Sequence, residues 1–126
     1  MRCLDTYALI AVADGDEAFA RFINEDFVVP STTLAEFYWV MLRDLGKDIA
    51  DGWISVISPY AVDVDSALLL EAVRYRSARR KDNVSFFDAV GYVYSKQEKF
   101  LFVTGDEAFR GEAGVEFVKS SSRSRK

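Results

Sequence analysis

Four carboxylates in this 126-residue chain stand where an acid is unexpected. Asp5 is the only charge between Cys3 and Ala13, and Glu36 is the only one in the run STTLAEFYWVML, Ser31 to Leu42. Asp88 is alone in VSFFDAVGYVYS, Val84 to Ser95, and Asp106 closes the apolar stretch FLFVTG. Leaving an ionised carboxylate in apolar company costs on the order of several kcal/mol unless something compensates it. No Lys or Arg lies one helical turn from Glu36 or Asp88, so local ion pairs do not do so. A hard divalent cation bound by oxygen ligands would compensate all four acids together.

A second reading of the same residues is local. Thr33-Leu-Ala-Glu36 and Ser85-Phe-Phe-Asp88 both match the capping box, in which an acid at the third helical position bonds back to the cap N–H. Asp5 and Asp106 each follow an apolar run and precede a helical pattern, which suits an N-cap. The sequence by itself leaves caps and metal ligands both open.

Absences narrow the chemistry. The chain has no histidine, which removes Ser-His-Asp and Cys-His catalysis, histidine acid/base cleavage of RNA and almost every zinc site. Neither GxxxxGK[ST] nor GxGxxG occurs. The single cysteine, Cys3, has no internal disulfide partner. The N-terminal apolar run is interrupted by Asp5 and lacks a small-residue cleavage site, so a cytoplasmic protein is expected. No apolar stretch is long enough to cross a membrane. A net charge of −4 argues against nonspecific nucleic-acid binding through bulk charge. Carboxylates and a hard cation are the tools left to an enzyme of this composition.

The elements that would position these acids follow from pattern. Short apolar strands are expected at 2–4, 27–29, 60–64, 101–103 and 115–118. Helices are expected near 5–13, 16–24, 32–43, 47–57, 65–79 and 85–97, with a further short helix after Asp106. Strands alternating with helices predict a three-layer α/β/α sandwich around a central parallel sheet of four to five short strands. Ligands of such sheets bind beyond the carboxyl ends of the strands. Residues 1–118 make one domain, and 119–126, KSSSRSRK, read as a disordered basic tail.

LDTYALI at the start, TLAEF after the second strand, FFDAVGYVYS before the fourth and LFVTGDEAF after it resemble the PIN-domain family, in order and up to Val118. The resemblance implies a parallel sheet with its first and fourth strands adjacent at the centre. It also implies that Asp5, Glu36, Asp88 and Asp106 bind Mg²⁺ or Mn²⁺ and support hydrolysis of RNA. Many small prokaryotic members are toxins of VapBC-type toxin–antitoxin pairs, so a homodimer restrained by a cognate antitoxin is the expected assembly. Asp5, Asp88 and Asp106 are the expected metal ligands. Glu36 would serve a second metal or the attacking water, and Thr6 and Thr104 would hold water or phosphate, or simply bond the backbone.

Arg74, Arg76, Arg79, Arg80 and Lys81 form the dense basic patch of the folded part, suited to RNA phosphates or to a helix C-terminus. Tyr38, Trp39, Tyr92 and Tyr94 suit core packing or a dimer seam, and Phe19, Phe22 and Ile23 suit core or a partner groove. Two rivals stand beside the nuclease reading. One is a catalytically inactive PIN-fold module that binds RNA or protein. The other is a receiver-type phosphoacceptor, which wants a second acid after the first strand, where this chain has Thr6-Tyr7.

Overall fold

The computed structural model describes residues 1–121; the last positions of the basic tail lie outside the described residues. The chain runs β1 (Arg2–Leu4), α1 (Thr6–Ala13), β2 (Phe27–Pro30), α2 (Ser31–Leu45) and α3 (Lys47–Ile57). It continues through β3 (Ala61–Val62), α4 (Ser66–Ala78), α5 (Phe86–Glu98), β4 (Leu101–Thr104) and β5 (Val115–Phe117). The sheet order is β3-β2-β1-β4-β5, and every pairing is parallel.

Strands this short hold together because both their faces are buried. Cys3 and its register partner Phe102 face one side, and Leu4 and Val103 face the other. On the Leu4 side, α1, α2 and α3 contribute Leu9, Ile10, Phe37, Met41 and Ile57 to one core. On the Cys3 side, α4 and α5 contribute Leu68, Ala72, Val90 and Tyr92 to a second. The three-layer arrangement expected from the alternation of elements is the one observed. At Gly91 a Cβ would lie 2.7 Å from the Phe102 ring, so glycine lets α5 settle directly on β4. Among the described residues no helix is long and apolar enough to cross a membrane.

Three expectations are corrected. The helix expected near 16–24 is instead a 3-10 segment, Ala20–Asn24, because Asp16 accepts from the Ala18 N–H (2.9 Å) and makes a turn first. Phe19 and Phe22 stand three apart, the 3-10 repeat, and both are fully buried, so they are core rather than a partner groove. The third strand is shorter than expected, since Ser58–Tyr60 closes a 3-10 turn before it. The free tail expected from residue 119 gives way at its start. The Ser120 N–H donates to Tyr7 Oη (3.0 Å), and the Ser121 N–H and hydroxyl donate to the Asp16 carboxylate (2.9 and 2.8 Å).

Glu116 of β5 ties the far side of the sheet together by accepting from Arg2 Nε (2.7 Å) and Arg21 Nη2 (2.9 Å). Burial pushes its carboxyl up, but the two guanidiniums outweigh that and hold it below its ordinary value of 4.5. A depressed folded pKa gives stability that is present above the unfolded value and lost as pH falls through the folded one. Glu116→Gln is therefore expected to cost about 1 kcal/mol at neutral pH, with the difference from wild type vanishing in acid below the usual carboxylate range. Urea unfolding of both proteins across pH measures this, and a gap that persists in acid would assign the cost to packing.

Candidate active site

The central pairing of β1 with β4 fixes the first two acids. Leu4 lies opposite Val103, and the ladder continues one step, with the Asp5 N–H donating to the Val103 carbonyl (3.2 Å). Asp5 thus emerges at the carboxyl edge of the sheet, 1% exposed, and Oδ1 of its side chain accepts from the Ala8 N–H (2.8 Å) as the N-cap of α1. On the adjacent strand Thr104, fully buried, accepts from the Asp106 N–H through Oγ1 (3.0 Å). Asp106 Oδ1 in turn accepts from the Ala108 N–H (3.0 Å). The Thr104 hydroxyl thus supports the backbone at Asp106 and keeps its own O–H to donate.

Glu36 arrives by a different route. Helix α2 begins at Ser31, with Pro30 at its N-cap position, so Thr33 lies inside the first turn and Glu36 in the second. The capping box expected at Thr33–Glu36 is therefore absent. Instead the Glu36 carboxylate accepts from the hydroxyl of Thr6, the residue after Asp5. That bond crosses from α2 to α1 and binds the third acid to the strand edge that carries the first. Among the described residues neither Glu36 nor Asp106 pairs with a cation.

Asp88 sits in the first turn of α5, 8% exposed, and its N–H donates to Ser85 Oγ (3.1 Å), so Ser85 is the cap the sequence suggested. Helix α5 leads into β4 and must run back against it, so its N-terminus lies toward the carboxyl edge of the sheet. Glu36 and Trp39 of α2 line a cavity of about 340 Å³ together with Phe87, the neighbour of Asp88.

These donors are all oxygen, the chemistry that a hard divalent ion selects. Cys3 is no competitor: burial pushes its thiol up to about 12, and Sγ points to the Gly91 carbonyl (3.9 Å). Among the described residues no group of three or more acids is arranged to hold a metal ion as it stands. Asp5 and Asp106 direct one oxygen each to a helix-start N–H, so the capping and site readings describe the same residues. Carboxylate and hydroxyl oxygens are the donors such an ion takes, and the backbone caps fix one oxygen each of Asp5 and Asp106.

The basic cluster divides. Arg79 bonds Tyr75, Asp82 and Glu112 and donates to the Ala108 carbonyl (2.8 Å), which makes it a clamp on the loop after Asp106. Arg74 pairs with Glu71, and Arg76 donates to the Val84 carbonyl (2.8 Å). Arg80 and Lys81 are exposed on a 3-10 turn, Arg80–Asp82. Arg80 lines a cavity of about 380 Å³ with Arg76, Asn83 and Phe86 beside the start of α5. Two residues that carry little signal in the sequence stand out here: Asp16 is 2% exposed, and Lys119 Nζ donates to the Gly105 carbonyl just before Asp106 (3.1 Å).

A parallel three-layer α/β domain with an acidic carboxyl edge is thus in place, and comparison identifies its family. The PIN domain model matches residues 2–113, and the chain belongs to the PIN domain family. That match removes the receiver-type alternative. No curated protein sequence matches significantly. Among solved structures, the VapC20 toxin of Mycobacterium tuberculosis, described as cleaving the sarcin–ricin loop, aligns with a TM-score of 0.75 at 17% identity, covering 94% of this chain and 98% of that one. A DNA-bound VapBC complex from Salmonella typhimurium aligns with a TM-score of 0.70 at 19% identity, covering 94% and 96%. A toxin–antitoxin complex from Klebsiella pneumoniae gives 0.71 at 14% identity, covering 92% and 96%. At these identities the likeness concerns the fold.

Asp106→Asn separates the site reading from the cap reading, because asparagine keeps the cap acceptor and removes the charge. If the acids repel one another across a shared pocket, the variant should be about 1 kcal/mol more stable than wild type without metal. It should also lose most of the stabilisation that Mg²⁺ confers. Chemical unfolding in EDTA and in Mg²⁺ reads both quantities. A variant that is less stable and keeps the wild-type Mg²⁺ response would leave Asp106 as a cap alone.

Proposed function

We propose that this PIN domain chain is a Mg²⁺- or Mn²⁺-dependent endoribonuclease of the cytoplasm, the toxin of a toxin–antitoxin pair. The observation that carries the reading is the convergence of isolated acids from separate elements on one sheet edge. Asp5 and Asp106 follow adjacent strands, and Glu36 is tethered to the same edge through Thr6. Asp5, Asp88 and Asp106 would hold the ion, directly or through water. When bound, the ion would lower the pKa of a coordinated water and offset charge growing on the phosphate oxygens. Glu36, oriented by the Thr6 hydroxyl, would position the attacking water or a second ion. In-line attack would leave a 3′-hydroxyl and a 5′-phosphate.

The partners in this reading are an RNA substrate, a second copy of the chain and an antitoxin. The toxin–antitoxin complexes among the structural neighbours support the last of these. So do Ile49 and Val56, seven apart on one face of α3 and about half exposed, which suit a partner's apolar helix. A second reading, a binding module that keeps the fold without cleavage, draws on the finding that among the described residues no three acids are grouped to hold an ion.

Purified protein is expected to cut single-stranded or structured RNA with Mg²⁺ or Mn²⁺ and to stop in EDTA. Cleavage that continues undiminished in chelator would remove the metal mechanism, and binding without cleavage under any divalent ion would favour the module. Replacing Arg80 and Lys81 together should flatten the log–log salt dependence of RNA binding by roughly two units, close to one per lost phosphate contact. An unchanged slope would confine this turn to ending α4.

A further inference from the structure

We propose that Lys119 is a substrate-binding cation of the active site, and that buried Asp16 positions it by latching the chain that follows β5. The proposal rests on the nuclease reading and adds a phosphate contact to it. The path of the chain comes first. Beyond Phe117, the Val118 N–H donates to the Thr104 carbonyl (2.9 Å), which extends the β4–β5 ladder to the threonine that supports Asp106. The chain then crosses the site's edge at a contact that only glycine allows. A Cβ on Gly105 would lie 2.2 Å from the Tyr7 ring and 2.7 Å from the Val118 carbonyl oxygen.

The next three residues are held in place. Lys119 Nζ donates to the Gly105 carbonyl (3.1 Å), the peptide just before Asp106, and lies 5.6 Å from the centre of the Tyr7 ring. Ser120 and Ser121 then converge on Asp16, whose carboxylate accepts from both hydroxyls and from the Ser121 N–H. Asp16 is 2% exposed and also accepts from the Ala18 N–H. A buried carboxylate satisfied by residues more than a hundred positions away is a latch across the fold.

Charge shows why this lysine is free to act. Its acidic neighbour, Glu107, is taken by Arg110 through two bonds of 2.8 and 3.0 Å, while Lys119 stands at 3.4 Å. One carboxylate cannot neutralise two cations. Lys119, half exposed, therefore keeps only a weak acidic partner beside Asp106 and can exchange it for a phosphate. Arg79, which also donates to this loop's backbone, is engaged by Tyr75, Asp82 and Glu112.

The test uses the full chain and a short, fluorescently labelled single-stranded oligoribonucleotide. Lys119→Ala should raise KM for cleavage roughly tenfold, the size of one charge-assisted hydrogen bond, with the loss falling on KM rather than kcat. Binding of the same probe in EDTA, which needs no catalysis, should lose about one unit of log–log salt slope. Lys119→Arg should restore most of both. Asp16→Asn should reproduce the Lys119→Ala phenotype by freeing the strap. An unchanged KM and slope in Lys119→Ala would overturn the proposal, and a wild-type response in Asp16→Asn would overturn the latch. If wild type binds the probe with the Lys119-dependent slope and yet cuts nothing in Mg²⁺ or Mn²⁺, the nuclease reading fails while the phosphate contact stands.

Discussion

Parallel pairing of β1 with β4 is the constraint on which the rest of the molecule depends. A parallel sheet has one carboxyl edge, and every helix that returns from it starts there. Once Leu4 lies beside Val103, Asp5 and Asp106 both follow the carboxyl ends of adjacent strands, and α5 begins toward the end where β4 finishes. The pairing is kept in register by side chains that alternate strictly between two cores, so a slip of one residue would place Leu4 and Val103 in the wrong one. Because the strands are only three or four residues long, nearly all of this specification comes from burial on both faces and little from ladder length.

Helix starts resolve the apparent conflict between capping and catalysis. The backbone N–H groups at these starts carry partial positive charge, and an acid placed there is stabilised whether or not a metal is near. Asp5 and Asp106 each spend one oxygen on such an N–H. That stabilises a buried acid in the metal-free protein and fixes the side chain's direction. Glu36 is the informative exception. It lies in the second turn of α2, beyond the reach of that positive end, and its partner is a hydroxyl from the element that carries Asp5. Local structure asks for no acid at that position, whereas the proposed site would.

Most of the architecture was legible because apolar periodicity and isolated charges report burial directly. The five strands, the principal helices and the acids all follow from that signal. The failures have physical causes. The segment after Gly15 has helical composition, yet Asp16 bonds its own backbone and turns the chain before a helix can nucleate. Thr33 resembles a cap only if the helix starts after it, and Pro30 fixes the start three residues earlier than that motif requires. Arg79 looks like its basic neighbours, but tertiary partners on the loop after Asp106 take up its guanidinium. The strap at 119–121 was hidden because serines next to basic residues read as solvated tail. Nothing local reveals that Asp16, so far away in sequence, satisfies them.

Charge is where the fold and the proposed chemistry meet. A chain of net charge −4 with an acidic pocket should repel a polyanion at long range. Binding must then come from a few cations placed within a Debye length of the phosphates rather than from overall charge. Most of the described arginines are spent on ion pairs: Arg2 and Arg21 on Glu116, Arg74 on Glu71, Arg79 on Glu112 and Arg110 on Glu107. The unspent cations therefore matter more than the dense ones. Arg80 and Lys81 flank the start of α5, which bears Asp88, and Lys119 flanks the loop that bears Asp106. On this arrangement a phosphate backbone would be gripped on either side of the acids. The acids' own repulsion would be relieved only where a divalent ion joins them, so substrate and metal would each favour the other's binding.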